Sequence, residues 1–137
     1  MSLFVDSSVW FAAADRDDRG SGRAREILGS GDALVTSDHV IMETWGLLKS
    51  RIDRGVANRF WDASRTGGVT VEWVGPADLE VAWSIREAFP DQRFSIVDLT
   101  SFALMERLGV HRAASFDSDF AIYRFGPRRE RAFTVLS

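Results

Sequence analysis

Four acidic residues interrupt segments of this chain that are otherwise apolar. Asp6 stands in LFVDSSVW, Glu43 in HVIMETWGLL, Asp98 in FSIVDLTSFALMERLGV and Asp117 in RAASFDSDFAIY. Isolated carboxylates belong on solvated surfaces. Carboxylates gathered without basic partners repel one another, and a divalent cation is the simplest agent to hold them. Three or four of them can bind one or two Mg²⁺ ions, which prefer octahedral oxygen ligands and keep several waters. Such ions lower the pKa of a water and neutralise phosphate oxygens. With two ions about 3.5–4 Å apart, both attacking and leaving oxygens are stabilised. The chemistry indicated is metal-assisted hydrolysis of a phosphodiester.

Composition narrows the ligand. The chain has no cysteine and only two histidines, His39 and His111. Disulfides, zinc thiolate sites and thiol nucleophiles are excluded, and a histidine-rich metal site is disfavoured. A metal held by oxygen alone is Mg²⁺ or Mn²⁺ rather than zinc. The net charge of −3 does not suggest a general nucleic-acid binder. Sixteen of the seventeen basic residues are Arg, however, whose planar fork suits phosphate. They cluster at Arg16 to Arg25, Lys49 to Arg59 and Arg128 to Arg131. Any one cluster alone reads as solvated surface charge. An acidic pocket rimmed by Arg would fit a polyanion held through metal and clamps.

The elements that must position the acids alternate in type. Leu3 to Val5 reads as a buried strand ending at Asp6, followed by a short helix through Trp10 to Ala14 that Ser7 or Ser8 would cap. A polar loop, Asp15 to Gly22, precedes a helix over Gly22 to Leu28. Ala33 to Thr36 is a second strand. Ser37 or Asp38 caps the helix that carries Val40, Ile41, Glu43, Trp45, Leu47 and Leu48. Val56 to Ser64 forms another helix, and Val69 to Val74 a β-branched strand. Pro76 opens a helix whose Leu79, Val81, Ala82, Trp83 and Ile85 are expected to face inward. After a loop over Phe89 to Phe94, Asp98 begins a helix, or sits early in it, through Leu108, with Gly109 as C-cap. His111 to Phe116 is a strand ending at Asp117, and Ala132 to Leu136 a final strand.

This alternation predicts an α/β fold with a mainly parallel sheet and helices on both faces, in a single domain over residues 1–137. Its apolar share of 45% supports a sizeable core. Ligands of such sheets sit beyond the carboxyl ends of the strands, where Asp6 and Asp117 fall. Glu43 and Asp98 arrive on helices at the same edge. No apolar run approaches a membrane span, and MSLFVDSS lacks the features of a secretory signal, so a cytoplasmic protein without membrane contact is expected.

Each acid also has a plainer reading. Asp6 could cap a helix, Glu43 could face solvent, Asp98 could be an N-cap, and Asp117 could belong to an Asx-turn with Asp119 capping a helix beside it. Ser8, Thr36, Ser95 and Ser115 are hydroxyls near the same edge that could orient water or phosphate, or cap helices. The five Trp and ten Phe are assigned to core packing. The chain lacks a GxxxxGK[ST] phosphate loop, a GxSxG elbow and a DxD motif after its first strand.

Four stretches, LFVDSSVWFAAAD, VTSDHVIMETWGLL, FSIVDLTSFALMERLGV and AASFDSDFAIY, give the chain a resemblance over nearly its whole length to PIN-domain ribonucleases, in particular to VapC toxins of type II toxin–antitoxin pairs. The resemblance implies a three-layer α/β/α sandwich with a central parallel sheet. It implies that Asp6, Glu43, Asp98 and Asp117 are catalytic and bind Mg²⁺ or Mn²⁺, with Asp119 an accessory acid. It further implies an RNA substrate, cleavage leaving a 5′-phosphate, a homodimer, and a VapB-like antitoxin that blocks the acidic cleft. Two other readings compete: a housekeeping PIN nuclease in RNA maturation, and a catalytically silent scaffold binding RNA or protein. An antitoxin gene immediately upstream favours the toxin. Intact acids at four positions argue against the silent scaffold.

Overall fold

The computed structural model describes residues 1–137. Five parallel strands form the central sheet: β1 (Ser2–Val5), β2 (Ala33–Ser37), β3 (Val69–Glu72), β4 (Arg112–Ala114) and β7 (Thr134–Leu136), in the order β3-β2-β1-β4-β7. Every pairing in it is parallel, with Phe4 beside Val35 on one side and beside Ala113 on the other. Seven helices cross or flank it: α1 (Ser7–Ala14), α2 (Ser21–Leu28), α3 (Asp38–Arg51), α4 (Arg54–Arg65), α5 (Pro76–Ala88), α6 (Ile96–Leu108) and α7 (Asp119–Ile122). A small antiparallel hairpin, β5 (Arg124–Phe125) with β6 (Arg131–Ala132), lies between α7 and β7.

The strand alternation divides the core in two. Leu3 and Val5 face α1 and α2, packing with Val9, Ala12, Ala24, Ile27 and Ala114. Phe4 and Ala113 point to the other face and join Ala82, Ile85, Phe102, Leu104 and Tyr123. Successive strand residues point to opposite faces, so three residues of β1 serve both layers. A three-layer α/β/α sandwich results, as the sequence predicts.

Several local expectations need correction. The last strand is not continuous from Ala132 to Leu136. Ala132 pairs antiparallel with Arg124, while Thr134–Leu136 pairs parallel with β4. Phe133 between them is buried, so the chain changes sheet around an anchored ring. The strand before Asp117 ends at Ala114, and Asp117 rides on a turn three residues later. On α5 the inward row is Asp78, Ala82 and Ile85, spaced i, i+4, i+7. Leu79, Val81 and Trp83 are 43%, 44% and 54% exposed. The buried carboxylate of Asp78 is held by Arg107, at 2.8 Å from Nε and 3.1 Å from Nη2, and by the Gly75 N–H. That pairing lets a polar residue take the inner position and turns the apolar neighbours outward. Trp61 and Trp73 are likewise exposed rather than packed inside.

Candidate active site

The strand order reverses direction between β1 and β4, and sheets of this kind take ligands beyond the carboxyl ends of the strands at such a switch point. Asp6 follows β1 directly. It is the N-cap of α1, in place of the expected Ser7 or Ser8, and its backbone N–H donates to Ala114 O on β4. Its buried Oδ2 accepts from the hydroxyls of Ser8 at 2.8 Å and Ser115 at 2.9 Å. The plain cap reading therefore holds, and the cap fixes the carboxylate at the switch point.

Ser115 ties a second acid to the first. Its Oγ donates to Asp6 and accepts from the backbone N–H of Asp117 at 3.1 Å. The Phe116 N–H donates to Ser8 Oγ at 2.9 Å. Two hydroxyls thus lock the turn after β4 onto the start of α1. Thr36 does something different. It donates to Val5 O and accepts from the Trp10 indole, joining β1, β2 and α1 without reaching an acid.

Glu43 stands on the second turn of α3, whose N-cap is Ser37. Its Oε1 accepts from Ser7 Oγ at 2.5 Å. The sequence offered Ser7 only as a helix cap, not as a partner of Glu43. Its adjacency to Asp6 was the only signal, because the partner lies on a distant helix. Asp98 is not the N-cap of α6. Ser95 is, and Asp98 occupies the third helical position, with the Asp98 N–H donating to Ser95 Oγ and Asp98 Oδ2 accepting from the Ser95 N–H. This reciprocal capping box satisfies two orphan donors and aims the carboxyl back past the helix start.

Burial, a hydrogen bond with Asp119 and the negative charges of Asp6 and Asp119 push the Asp98 carboxyl up to about 7, against the opposing Ser95 backbone bond. Burial and the charges of Asp6, Asp119 and Glu43 also raise Asp117. These mutual influences place all five acids in one neighbourhood, with Asp119, carried by α7, beside Asp98. No basic residue answers them. The ion pairs of the molecule lie elsewhere, at Arg23–Glu26, Arg86–Glu87, Arg107–Asp78 and Arg112–Asp32. The donors are all oxygen, negative and partly desolvated, which fits a hard divalent cation. No three of them converge tightly enough to close around one ion on their own. An open set of this kind suits Mg²⁺, which retains several waters.

A wide and largely apolar groove of about 1040 Å³ lies away from the acids, between α3, α4 and β3. Ile41, Trp45, Trp61, Val71 and Trp73 line it, and its one acid, Asp38, accepts from the Val74 N–H. It offers volume without the chemistry.

An all-parallel sheet that gathers unpaired carboxylates at its switch point defines a class: an α/β domain with an acidic crevice suited to divalent metal. Comparison with known proteins gives the family. The PIN domain model matches residues 3–126, and the chain belongs to the PIN-domain family, in its VapC branch. It is 38% identical over 125 residues to the 23S rRNA-specific endonuclease VapC20 of Mycobacterium tuberculosis, covering 90% of this chain and 95% of that protein. The crystal structure of M. tuberculosis VapC20, described as a sarcin–ricin loop cleaving toxin, superposes with a TM-score of 0.82 at 34% identity, over 85% of this chain and 91% of that one. VapBC2 of Rickettsia felis, bound to a promoter DNA fragment, matches with a TM-score of 0.70 at 9% identity, over 99% of this chain and 98% of the other. A toxin–antitoxin complex from Klebsiella pneumoniae matches at 0.68 and 14%, over 98% and 96%. These last two share the fold. No helix of the chain is long and apolar enough to cross a membrane.

Proposed function

We propose that this protein is a metal-dependent endoribonuclease and the toxin of a type II toxin–antitoxin pair. The observation that carries the reading is the set of carboxylates at the switch point with no basic partner, in a chain 38% identical to a ribosomal-RNA endonuclease. Asp6, Glu43, Asp98 and Asp117 are the residues that would hold Mg²⁺ or Mn²⁺, with Asp119 in support. A divalent cation bound there would neutralise phosphate charge and lower the pKa of a water.

The chain's own groups prepare the site. Ser8 and Ser115 fix Asp6, and Ser7 fixes Glu43, so neither carboxylate must be ordered when substrate arrives. Burial and the neighbouring carboxylates raise the Asp98 pKa, so a proton there relieves repulsion that a bound cation would relieve in its place. The substrate is RNA, and a ribosomal RNA loop is the first candidate because the similar M. tuberculosis protein is named for that target. The partner is a VapB-like antitoxin, the chain works as a cytoplasmic homodimer, and a basic antitoxin side chain would find its counter-charge among these acids.

The test is cleavage of ribosomal RNA, with end mapping, by wild type and Asp98→Asn in Mg²⁺ and in excess chelator. Discrete cuts confined to wild type with metal are expected. Undiminished cleavage in chelator, or by the variant, defeats the mechanism.

A further inference from the structure

Past the acids, α1 and α3 run on packed against each other. Ser7 and Phe11 are spaced i, i+4 on α1, and Glu43, Leu47 and Arg51 form an i, i+4, i+8 ridge on α3. The first pair of residues across this seam is Ser7 and Glu43, joined by a hydrogen bond. The last is Phe11 and Arg51, where the guanidinium lies over the ring at 5.5 Å from its centroid. Phe11 is half-buried and Arg51 exposed. By helix rise, this second contact sits about 6 Å from Ser7 along α1 and about 12 Å from Glu43 along α3. That is the reach of a nucleotide or two from the acids.

Arg51 has no carboxylate partner and donates no side-chain hydrogen bond, unlike Arg23, Arg86, Arg107 and Arg112, which are ion-paired. A cation in the last turn of α3 offsets the partial negative charge of the helix end. That role accounts for the charge but not for its seat on a ring of another helix. An exposed guanidinium over a half-buried aromatic is held weakly, whereas a nucleobase stacks on such a ring more strongly. A planar cation released from the ring remains within reach of the phosphate beside the stacked base.

We propose that Phe11 and Arg51 form a subsite for the RNA strand flanking the cleaved bond, with a base stacked on Phe11 and its phosphate taken by Arg51. This inference rests on the ribonuclease reading of the acids. In the free protein the guanidinium occupies the place of the base. On binding, it moves from the ring to the phosphate, so one pair supplies both stacking and charge.

The probe is a synthetic sarcin–ricin loop hairpin, bound by Asp98→Asn chains so that it stays intact, with cleavage followed in parallel in the Asp98-containing protein. Phe11→Leu, which keeps an apolar side chain and removes the ring, should weaken binding roughly five- to a hundred-fold. Arg51→Ala should lower the slope of log affinity against log salt by about 0.7. Arg51 is exposed, so this second variant reads the site even if Phe11→Leu folds poorly. A 5-bromouridine scan of the hairpin should give a photo-cross-link at Phe11. In cleavage, both variants should raise KM more than they lower kcat. If wild type cuts the hairpin while both variants bind it as tightly as their parent, the subsite is wrong and the nuclease stands. If wild type cuts no RNA, both fall.

Discussion

The Ser7 hydroxyl donates to Glu43 Oε1 at 2.5 Å, joining the first turn of α1 to the second turn of α3. Both residues flank the crevice, and the bond sets which way the Glu43 carboxylate points. Ser7→Ala leaves Glu43 free to rotate toward solvent. The expected loss is about ten- to a hundred-fold in activity or metal affinity, the range seen when partners of metal ligands are removed. Circular dichroism and melting should change little, because the seam keeps its apolar contacts. Wild-type turnover by Ser7→Ala at low Mg²⁺ would show that the bond positions nothing.

Asp98 makes the metal-free protein sensitive to pH in a defined direction. Its folded pKa of about 7 lies above the ordinary aspartate value of 3.8. The folded state therefore binds the proton more tightly than the unfolded chain does. The stabilisation is complete below about pH 4 and is lost as pH rises through about 7. Denaturant melts in chelator should show stability falling across that window, with the raised Asp117 adding to the trend. Asp98→Asn should flatten much of the slope, remain folded and lose cleavage by at least a hundred-fold. A pH-independent wild type would mean that the acids do not feel one another.

Metal addition should act on the same cluster with opposite sign. A cation that binds only the folded state stabilises by mass action, about 2.7 kcal/mol at a hundred times its Kd. Mg²⁺ or Mn²⁺ should therefore raise the melting temperature of wild type, and more at neutral than at acid pH, where Asp98 and Asp117 hold protons. Asp6→Asn should lose most of the increment. Differential scanning fluorimetry across metal concentration reads this without any substrate, and an identical melt with and without saturating metal would exclude the cluster as a cation site.

Much of this was legible in the residues because local and long-range signals agreed. Gly109 after Leu108 marked the end of α6, and the observed left-handed φ of 66° at that cap is why glycine stands there. The β1, β2 and β3 runs read cleanly as strands, and their alternation with helices pointed to the parallel sheet. Strand order put Asp6 and the turn bearing Asp117 at one sheet edge. The misses have physical causes. The β5–β6 hairpin has two residues per strand, and α7 has four, too few for any period to show. The inner face of α5 was misread because Asp78, paired with Arg107, took a place that apolar patterning gave to Leu79, Val81 and Trp83. The role of Ser7 beside Glu43 was invisible because the two are 36 positions apart. The influence of Asp119 on Asp98 could not be read from the sequence, since it arises only once α7 folds against α6.

The aromatic core beneath the site ties those last two elements together. Phe102, four residues after Asp98 on α6, stacks on Tyr123 at 4.4 Å with an interplanar angle of 2° and meets Phe120 edge-on at 5.0 Å. Phe120 belongs to α7, beside Asp119, and packs in turn on Phe4 of β1, two residues before Asp6. One ring cluster thus sets the spacing of Asp6, Asp98 and Asp119. Phe102→Ala should cost about 3–5 kcal/mol of stability. In the fraction still folded at low temperature, the metal concentration for half-maximal cleavage should rise by about tenfold or more, because the acids are no longer held in register. Phe102→Leu, which refills most of the volume, should recover most of the stability and part of the metal response. Fluorimetry and a metal titration of cleavage read the two effects separately. A variant that melts early yet keeps the wild-type metal requirement would show that the core supports the fold without setting the site.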